Sequence, residues 1–423
     1  MNNYPDVITR FLDPKERLIL SQENTMPLVI EAKKKTQATF LQDFLTQHTD
    51  TILNDLACYG AILLRGFDIT HEETFEKTIL SIKSSKGIAD AFMSEEGRIP
   101  VNNLRYVLHT NAVYKTGGTL YLGGFHSENY YTPDVPTYLA FCCFKPSKRG
   151  GETGLINMEK VYQFLNNDLK DKLEQRTFFV AKWLVSEVAA RYQLSYEAVE
   201  NICHSFNLPI IGEGHNRFIL MYKPSVFEHP LTGKKALQIN LFELVTLNPL
   251  LRKCFMNDYQ GKEWFWHRFV WRLPSWVFTI LEKSYVACAS FIYSPTEAWH
   301  RLLNKLKTYQ ASHYLPNFNQ ERVGLSFNTE DIEELAQLMR QYYSSCLWQK
   351  GDILLIDNRK VAHAGMPGAG PRRIRAMICN PLQMNYTEKA SGLLLCREKA
   401  HEIGYYFDKE HAFNCPAKSS LEN

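Results

Sequence analysis

Short apolar segments, each bounded by turn-forming or polar residues, set the strongest limit on how this chain folds. Runs of this length, apolar and partly β-branched, are typical of buried β-strands. Helical spacing of apolar residues over 34–56 and 70–83 flanks the first run. The pattern predicts an α+β protein with a mainly β core, whose strand segments lie on both sides of the middle of the chain. These strand-like runs are residues 61–69, 121–131, 137–144, 152–157, 235–243, 351–357 and 373–380.

Composition and charge exclude several classes of protein. With 45% hydrophobic and 22% charged residues among 423, the chain can bury a large core. Its net charge of +3, without long runs of one sign, argues against binding to nucleic acid. No run of about 18 uncharged apolar residues is present, and the N-terminus lacks the pattern of a secretory signal. Ten cysteines without a CxxC pair fit reduced thiols, so we expect a cytoplasmic protein without a transmembrane segment.

Residues 255–315 form an unusually aromatic stretch, which we interpret as an inserted helical subdomain. Its rings either pack onto the core or each other, or they form a lid, a partner surface or a membrane-surface contact. The aromatic residues concerned are Trp264, Phe265, Trp266, Phe269, Trp271, Trp276 and Phe278.

Three places in the sequence have a histidine two residues before an acidic residue. The pairs beginning at His48 and His71 lie in helical patterns, where positions i and i+2 point in different directions. His126 and Glu128 instead lie in a strand-like stretch, where i and i+2 share a face and both side chains can reach one ion. This pair is therefore the candidate for two metal ligands.

A third ligand and an anion-binding group are candidates further along the chain. Two histidines and one carboxylate form the facial triad of non-haem Fe(II) oxygenases, and His363 begins a loop after the strand 351–357. The arginines Arg372, Arg373 and Arg375 follow, and such a cluster beside an apolar strand favours an anionic partner such as a dicarboxylate. Because strand side chains alternate, Arg373 and Arg375 share one face and Arg372 points to the other.

These motifs, in this order, resemble the TauD/TfdA family of Fe(II)- and 2-oxoglutarate-dependent dioxygenases, and especially its syringomycin-biosynthesis-like and clavaminate-synthase-like members. The resemblance extends over about residues 50–390. Together the motifs are highly specific, although each alone is weak. The segments that carry it are GAILLRGFDI (60–69), HSENYYTPDVP (126–136), GGETGLINMEKVY (150–162), SVFEHPLTGKKALQIN (225–240) and WQKGDILLIDNRKVAHAGMPGAGPRRI (348–374).

The resemblance implies a distorted double-stranded β-helix, a cupin-like jelly roll with flanking helices, and an oxidoreductase that uses Fe(II), 2-oxoglutarate and O2. It implies three iron ligands, His126, Glu128 and His363. It also implies that Thr153 donates a hydroxyl hydrogen bond to 2-oxoglutarate and that Arg373 binds its distal carboxylate. Arg372 is the rival under a one-residue shift of the alignment.

Two features refine the chemistry that the resemblance implies. Halogenating relatives replace the carboxylate ligand by a small residue, so Glu128 favours hydroxylation over chlorination. Met377, four residues after Arg373, stands where sulfonate- and carboxylate-directed members often have an arginine, which argues against taurine-like recognition. We therefore expect hydroxylation of an unactivated C–H bond, with release of succinate and CO2.

The resemblance also leads to expectations about the substrate class and the domain organisation. The substrate would be a small amino-acid-like or natural-product molecule, free or tethered to a carrier protein. Alternatives are desaturation or ring closure by the same fold, and a non-catalytic binding protein acting through the aromatic insertion. Residues 1–423 would form a single elaborated domain, with 255–315 as a helical lid or subdomain and 388–423 as a C-terminal extension of unassigned role.

Overall fold

The structure is a computed structural model of the protein. The described residues are 2–87, 101, 104–110, 124–128, 135–174, 177–192, 194–205, 210–238, 244–274, 276–278, 280, 281, 284, 288, 291, 292, 295, 299, 303, 327–370, 372–382, 385 and 386.

The largest element is a seven-stranded sheet in the order β1-β2-β3-β14-β5-β17-β4. All its neighbours are antiparallel except β2 and β3, which are parallel. The pairing brings strands from the beginning and from the later part of the sequence into one sheet. Its strands are β1 (Val7–Phe11), β2 (Leu28–Ala32), β3 (Ala61–Arg65), β4 (Leu108–His109), β5 (Val135–Lys145), β14 (Ile353–Asp357) and β17 (Arg373–Leu382).

A smaller antiparallel sheet has the order β13-β7-β15, and the described residues also form three further small sheets. Its strands are β7 (Thr153–Asn157), β13 (Tyr343–Cys346) and β15 (Val361–Gly365). The remaining strands are β6 (Arg149–Gly150), β8 (Thr177–Leu184), β9 (Ile210–Ile211), β10 (Phe218–Pro224), β11 (Val226–Glu228), β12 (Lys235–Leu237), β16 (Gly368–Ala369) and β18 (Asn385–Tyr386).

Helices cover both sheets. They are α1 (Ala38–Gln47), α2 (Thr49–Tyr59), α3 (Glu72–Leu80), α4 (Met158–Phe164), α5 (Asn167–Glu174), α6 (Val185–Tyr192), α7 (Tyr196–Ser205), α8 (Leu244–Phe255), α9 (Phe265–Trp271) and α10 (Thr329–Gln341). Two 3₁₀ turns lie at Pro14–Glu16 and Lys262–Trp264.

Three apolar cores show how these layers pack. The inter-sheet core joins the two sheets, since Phe141 of β5 and Ile356 of β14 cluster with Leu155 of β7. The outer face of the large sheet packs on α1, α2 and α3, and the outer face of the small sheet packs on α4, α8, α9 and α10. Two facing, mainly antiparallel sheets between helices are the jelly-roll, double-stranded β-helix arrangement in an α+β protein, so the predicted fold class is confirmed.

Most predicted elements match the structure with small differences. His363, expected at the start of a loop, instead lies within strand β15, because this segment pairs with β7. The single helix expected over 34–56 is two helices, because the chain breaks at His48, whose ψ of 19° is not helical. The helix expected over 70–83 spans only Glu72–Leu80. The predicted strands at 61–69, 137–144, 152–157, 351–357 and 373–380 correspond to β3, β5, β7, β14 and β17. The tail 388–423 lies outside the described residues.

Candidate metal centre

His363 lies on β15, at the edge of the small sheet, and His126 pairs with it as an isolated antiparallel bridge. The two residues exchange main-chain hydrogen bonds: the nitrogen of His126 lies 3.1 Å from the carbonyl oxygen of His363, and the nitrogen of His363 lies 2.9 Å from the carbonyl oxygen of His126. Residues directly opposite each other in an antiparallel pair place their side chains on the same face. Their imidazole rings accordingly lie 4.5 Å apart between centroids, although 237 positions separate them in the sequence.

Glu128 completes a cluster of three potential metal ligands. Its Oε2 lies 3.7 Å from Nε2 of His126 and 3.5 Å from Nε2 of His363. All three ligand atoms lie within 4.8 Å of one another. Protein ligands sit about 2.1 Å from a transition-metal ion, so two ligands of one ion are at most about 4.2 Å apart. Both carboxylate–imidazole distances satisfy this limit, and the 4.8 Å bound on the full set exceeds it by only 0.6 Å. Two imidazoles and one carboxylate are also the ligand set of non-haem Fe(II) sites, so the donor chemistry fits an iron ion.

Hydrogen bonding selects the imidazole nitrogen of His126 that can bind a metal. Its Nδ1 lies 2.9 Å from the main-chain carbonyl oxygen of Gly124. Because a carbonyl oxygen only accepts, Nδ1 carries the proton and donates, which leaves the Nε2 lone pair directed at the cluster. Phe141 packs against the other imidazole, 5.4 Å from the ring of His363. Glu128 and His363 are buried, whereas the side chain of His126 is 32% exposed.

Thr153 begins β7 and lies in the same sheet as His363. In the register of the small sheet, Leu155 is opposite His363 and Thr153 is opposite Gly365. Thr153 and Leu155 are two residues apart in a strand and therefore share the face that carries His363. The buried Thr153 side chain thus lies on the metal side of the sheet.

The two candidate arginines lie on different sides of the structure. The side chain of Arg372 is partly buried, and its Nη1 donates a hydrogen bond to the carbonyl oxygen of Gly151. A Cβ atom on Gly365, the residue opposite Thr153, would lie 3.6 Å from Nη2 of Arg372. Desolvation lowers the pKa of Arg372 from its usual value. The guanidinium of Arg372 therefore lies beside Gly151 and beside Gly365, the residue opposite Thr153.

Arg373 instead points away from the metal cluster. Its side chain is exposed, and its guanidinium lies 5.5 Å from the ring of Phe144, which belongs to the core between the large sheet and α1, α2 and α3. Met377, on the same strand, packs in that outer core, whereas Ile374 packs in the inter-sheet core. The alternation of the two arginines is as expected, but the structure brings Arg372, not Arg373, towards the metal side.

One buried residue beside the cluster has no counterpart among the predicted site residues. Asn358, in the turn after β14, hydrogen-bonds to the main chain of Glu128. The run Asp357–Lys360 is entirely polar, and such a run after an apolar strand is typical of an exposed turn. Here all four side chains are buried, and no local pattern indicates that. Asn129, Tyr130 and Tyr131, which follow Glu128 in the sequence, lie outside the described residues.

Comparisons with known proteins give the class of the chain. The family described as taurine catabolism dioxygenase TauD, TfdA family, matches residues 26–251, which is more than half of the 423 residues. The chain belongs to the TauD/TfdA family. It is therefore an oxidoreductase of the class that uses Fe(II), 2-oxoglutarate and O2.

Individual relatives are distant in sequence. The dapdiamide synthesis protein DdaC of Enterobacter agglomerans is 20% identical over 375 residues, which cover 85% of this chain and 95% of DdaC. PvcB of Pseudomonas aeruginosa is 12% identical, with 92% of this chain and 98% of PvcB covered and a TM-score of 0.47. A taurine dioxygenase from Burkholderia xenovorans is 12% identical, with coverage of 95% and 99% and a TM-score of 0.43. Within the described residues, no helix is long and apolar enough to cross a membrane.

Proposed function

We propose that this protein hydroxylates an unactivated C–H bond of a small amino-acid-like or natural-product substrate, and that His126, Glu128 and His363 hold its iron. The observation that carries the proposal is the convergence of these three side chains on one point. Bound there, iron with 2-oxoglutarate and O2 supplies oxidation of the C–H bond, with release of succinate and CO2.

The residues around the cluster have separate roles in this proposal. Thr153 donates a hydrogen bond to 2-oxoglutarate, and the guanidinium of Arg372 binds its distal carboxylate. Arginine suits this role because its planar fork can donate two hydrogen bonds to one carboxylate. The contact between Arg372 and Gly151, just before Thr153 in the chain, supports a shared pocket. Phe141 packs against the ring of His363 and limits its rotation.

The relative DdaC supports the choice of substrate class. DdaC, a relative covered over 95% of its length, is described as a dapdiamide synthesis protein. A natural-product intermediate, free or tethered to a carrier protein, is therefore the substrate we propose. Glu128 supports hydroxylation rather than halogenation, since its carboxylate occupies the ligand position beside both histidines. A cytoplasmic location and the lack of a nucleic-acid partner stay predictions.

We further propose that residues 1–423 form a single elaborated domain in which 255–315 is a helical insertion. Helix α9 packs on the small sheet through its buried Trp271, which supports a covering role. The described residues of this insertion also include exposed rings, among them Trp266 and Trp276. Membership of an enzyme family argues against the alternative of a non-catalytic binding protein.

Anaerobic titration tests the proposal directly. The metal-free protein is titrated with Fe(II) and then with 2-oxoglutarate, and the visible metal-to-ligand charge-transfer band of the chelate is recorded. We expect the band in the wild-type protein and its loss in His363→Ala. His71→Ala is the matched control, because His71 precedes helix α3 and takes no part in the ligand cluster. A band that survives His363→Ala, or is absent from the wild type, contradicts the assignment.

Product analysis separates hydroxylation from desaturation and ring closure. All three reactions use the same protein residues, and they differ in the mass of the product. Hydroxylation adds one oxygen to the substrate, whereas desaturation and ring closure each remove two hydrogens. Turnover with ¹⁸O2 of candidate intermediates, followed by mass spectrometry, distinguishes them. A product two mass units lighter than the substrate would replace the hydroxylase proposal by the desaturase or cyclase alternative.

A further inference from the structure

We propose that Asn358 is a positioning residue of the metal centre, whose side chain pairs with the main chain of Glu128 and so aims the Glu128 carboxylate at the two histidines. The inference rests on the proposed function and deepens it, because it assigns the group that sets the orientation of one ligand. Asn358 is buried and is not one of the three residues of the ligand cluster.

The side-chain amide of Asn358 is fully engaged with the metal-binding segment. Its Oδ1 accepts a hydrogen bond of 2.6 Å from the main-chain N–H of Glu128. Its Nδ2 donates to the main-chain carbonyl oxygens of Glu128 and Pro136, both at 3.0 Å. An asparagine amide offers one acceptor oxygen and two N–H donors, so both donors are used. Asn358 itself has 0% exposure.

This contact has the donor and acceptor pattern of a strand pair. In an antiparallel pair, one residue both donates to and accepts from the main chain of its opposite residue. His126 is held in that way by the main chain of His363. Glu128, two residues later, is held in the same way by the side chain of Asn358. The segment that carries His126 and Glu128 is thus held at both of these residues, whose side chains lie on the same face of the strand.

Both contacts lead to a single hairpin. Asn358 begins the turn that links β14 to β15, and His363 lies on β15 five residues later. The main-chain N–H of Asn358 also donates to the carbonyl oxygen of Thr137, at 3.1 Å. One hairpin therefore carries one ligand, His363, and orients the other two, His126 and Glu128.

A buried ionic network keeps the turn rigid. Arg359 donates two hydrogen bonds to the Asp357 carboxylate, at 2.8 Å and 2.6 Å, and Nε2 of His229 lies 3.0 Å from the same group. Burial alone would raise the pKa of Asp357, but the charge and hydrogen bonds of Arg359 and the contact with His229 hold it well below its usual range. The carboxylate next to Asn358 is thus a fixed charge with fixed partners.

The inference predicts a specific loss of metal affinity. Replacing a residue that orients a metal ligand typically lowers metal affinity by about 10- to 100-fold. Asn358→Ala removes all three side-chain hydrogen bonds and frees the main chain at Glu128. We expect Asn358→Ala to weaken binding of Co(II), used alone as a spectroscopic probe, by about 10- to 100-fold.

Asn380 provides the matched control. Its Oδ1 accepts the main-chain N–H of Lys86 at 2.6 Å, and its Nδ2 donates to the carbonyl oxygen of Ser84 at 3.1 Å. This is the same kind of clamp, but on a segment that carries no metal ligand. Asn380→Ala should lower the melting temperature and leave Co(II) affinity unchanged. Equal losses of affinity in Asn358→Ala and Asn380→Ala would mean general destabilisation and would overturn the inference.

A double-mutant cycle separates positioning of Glu128 from other effects. If Asn358 acts through Glu128, then Asn358→Ala costs no further Co(II) affinity in a Glu128→Ala background. Additive losses would overturn the inference, as would wild-type affinity in Asn358→Ala alone. If Asn358→Ala does not fold, the isosteric Asn358→Asp takes its place, since its carboxylate cannot donate to the two carbonyl oxygens. A wild-type protein that binds no Co(II) would instead defeat the proposed function, so the two failures are distinguishable.

Discussion

At the scale of single residues, replacing the neighbouring arginines Arg372 and Arg373 tests which of them binds 2-oxoglutarate. The guanidinium of Arg372 lies near Gly365 and Gly151, whereas that of Arg373 lies over Phe144 on the outer side of the sheet. A lost hydrogen bond to a charged group costs about 1.5–3 kcal/mol, or about 10- to 150-fold. We expect Arg372→Ala to raise the KM for 2-oxoglutarate by about that factor, with a smaller change in the substrate KM.

Arg373→Ala is the control for that prediction, because it removes the same charge one residue away. It should leave the KM for 2-oxoglutarate within about twofold of the wild-type value, since an exposed charge is screened by solvent. Steady-state kinetics at saturating substrate measure both variants. The reverse result, a large increase in the KM for 2-oxoglutarate in Arg373→Ala alone, would mean that Arg373 binds the co-substrate.

Glu152 gives the stability of the protein a pH dependence. The side chain is fully buried, and burial raises the pKa of its carboxyl group to about 7, partly offset by the charge of Arg372. Between the unfolded-state pKa, about 4.5, and 7, the folded state keeps a proton that the unfolded state has lost. Stability is therefore highest below this window and falls as pH rises through it, by about 3 kcal/mol at most.

Glu152→Gln removes that titration. We expect the free energy of unfolding of Glu152→Gln, relative to wild type, to increase from pH 4.5 to pH 7 and then to level off. Urea denaturation of both proteins at several pH values measures it. Parallel stability curves across this range would show that Glu152 ionises as an ordinary exposed glutamate.

At the scale of elements, the aromatic insertion contains two kinds of tryptophan. Trp264 has 3% exposure and packs edge-on against Tyr259, 4.8 Å between ring centroids. Trp266, two residues later, has 65% exposure. Trp264→Ala should lower the free energy of unfolding by about 3–5 kcal/mol, the usual cost of removing a buried tryptophan. Trp266→Ala should change it by less than about 0.5 kcal/mol. Similar losses in urea denaturation would contradict this division.

Elements and ligands differed in how well the sequence indicated them. Strands such as β14 were predictable because they are apolar on both faces, and the proximity of the His126 and Glu128 side chains was predictable because a strand puts i and i+2 on one face. The sequence did not show which of Arg372 and Arg373 points towards the metal side. Alternation along a strand places the two side chains on opposite faces but does not show which face is turned towards the other sheet. The position of Asn358 was not predictable either, because its partners Glu128 and Pro136 lie more than 200 residues away.

At the scale of the whole molecule, one buried ionic network joins the N-terminal segment to the large sheet. Arg65, at the end of β3, donates two hydrogen bonds to Asp352, at 3.1 Å and 2.7 Å. It also donates to Glu16, at 2.7 Å, and to the carbonyl oxygen of Leu347, at 2.9 Å. The side chains of Arg65 and Asp352 are 2% and 1% exposed. The charge of Arg65 is thus neutralised only where three distant segments meet.

Asp352→Ala should therefore destabilise the fold strongly, because it leaves the Arg65 charge buried with an incomplete set of partners. Removing one partner of a buried pair costs about 3–5 kcal/mol. Lys15→Ala breaks an exposed pair with Asp13, whose side chains are 84% and 60% exposed, and should cost less than about 1 kcal/mol. Urea denaturation of both variants measures the difference. A loss in Asp352→Ala as small as that in Lys15→Ala would mean that Glu16 alone compensates the Arg65 charge and that the three segments fold without this junction.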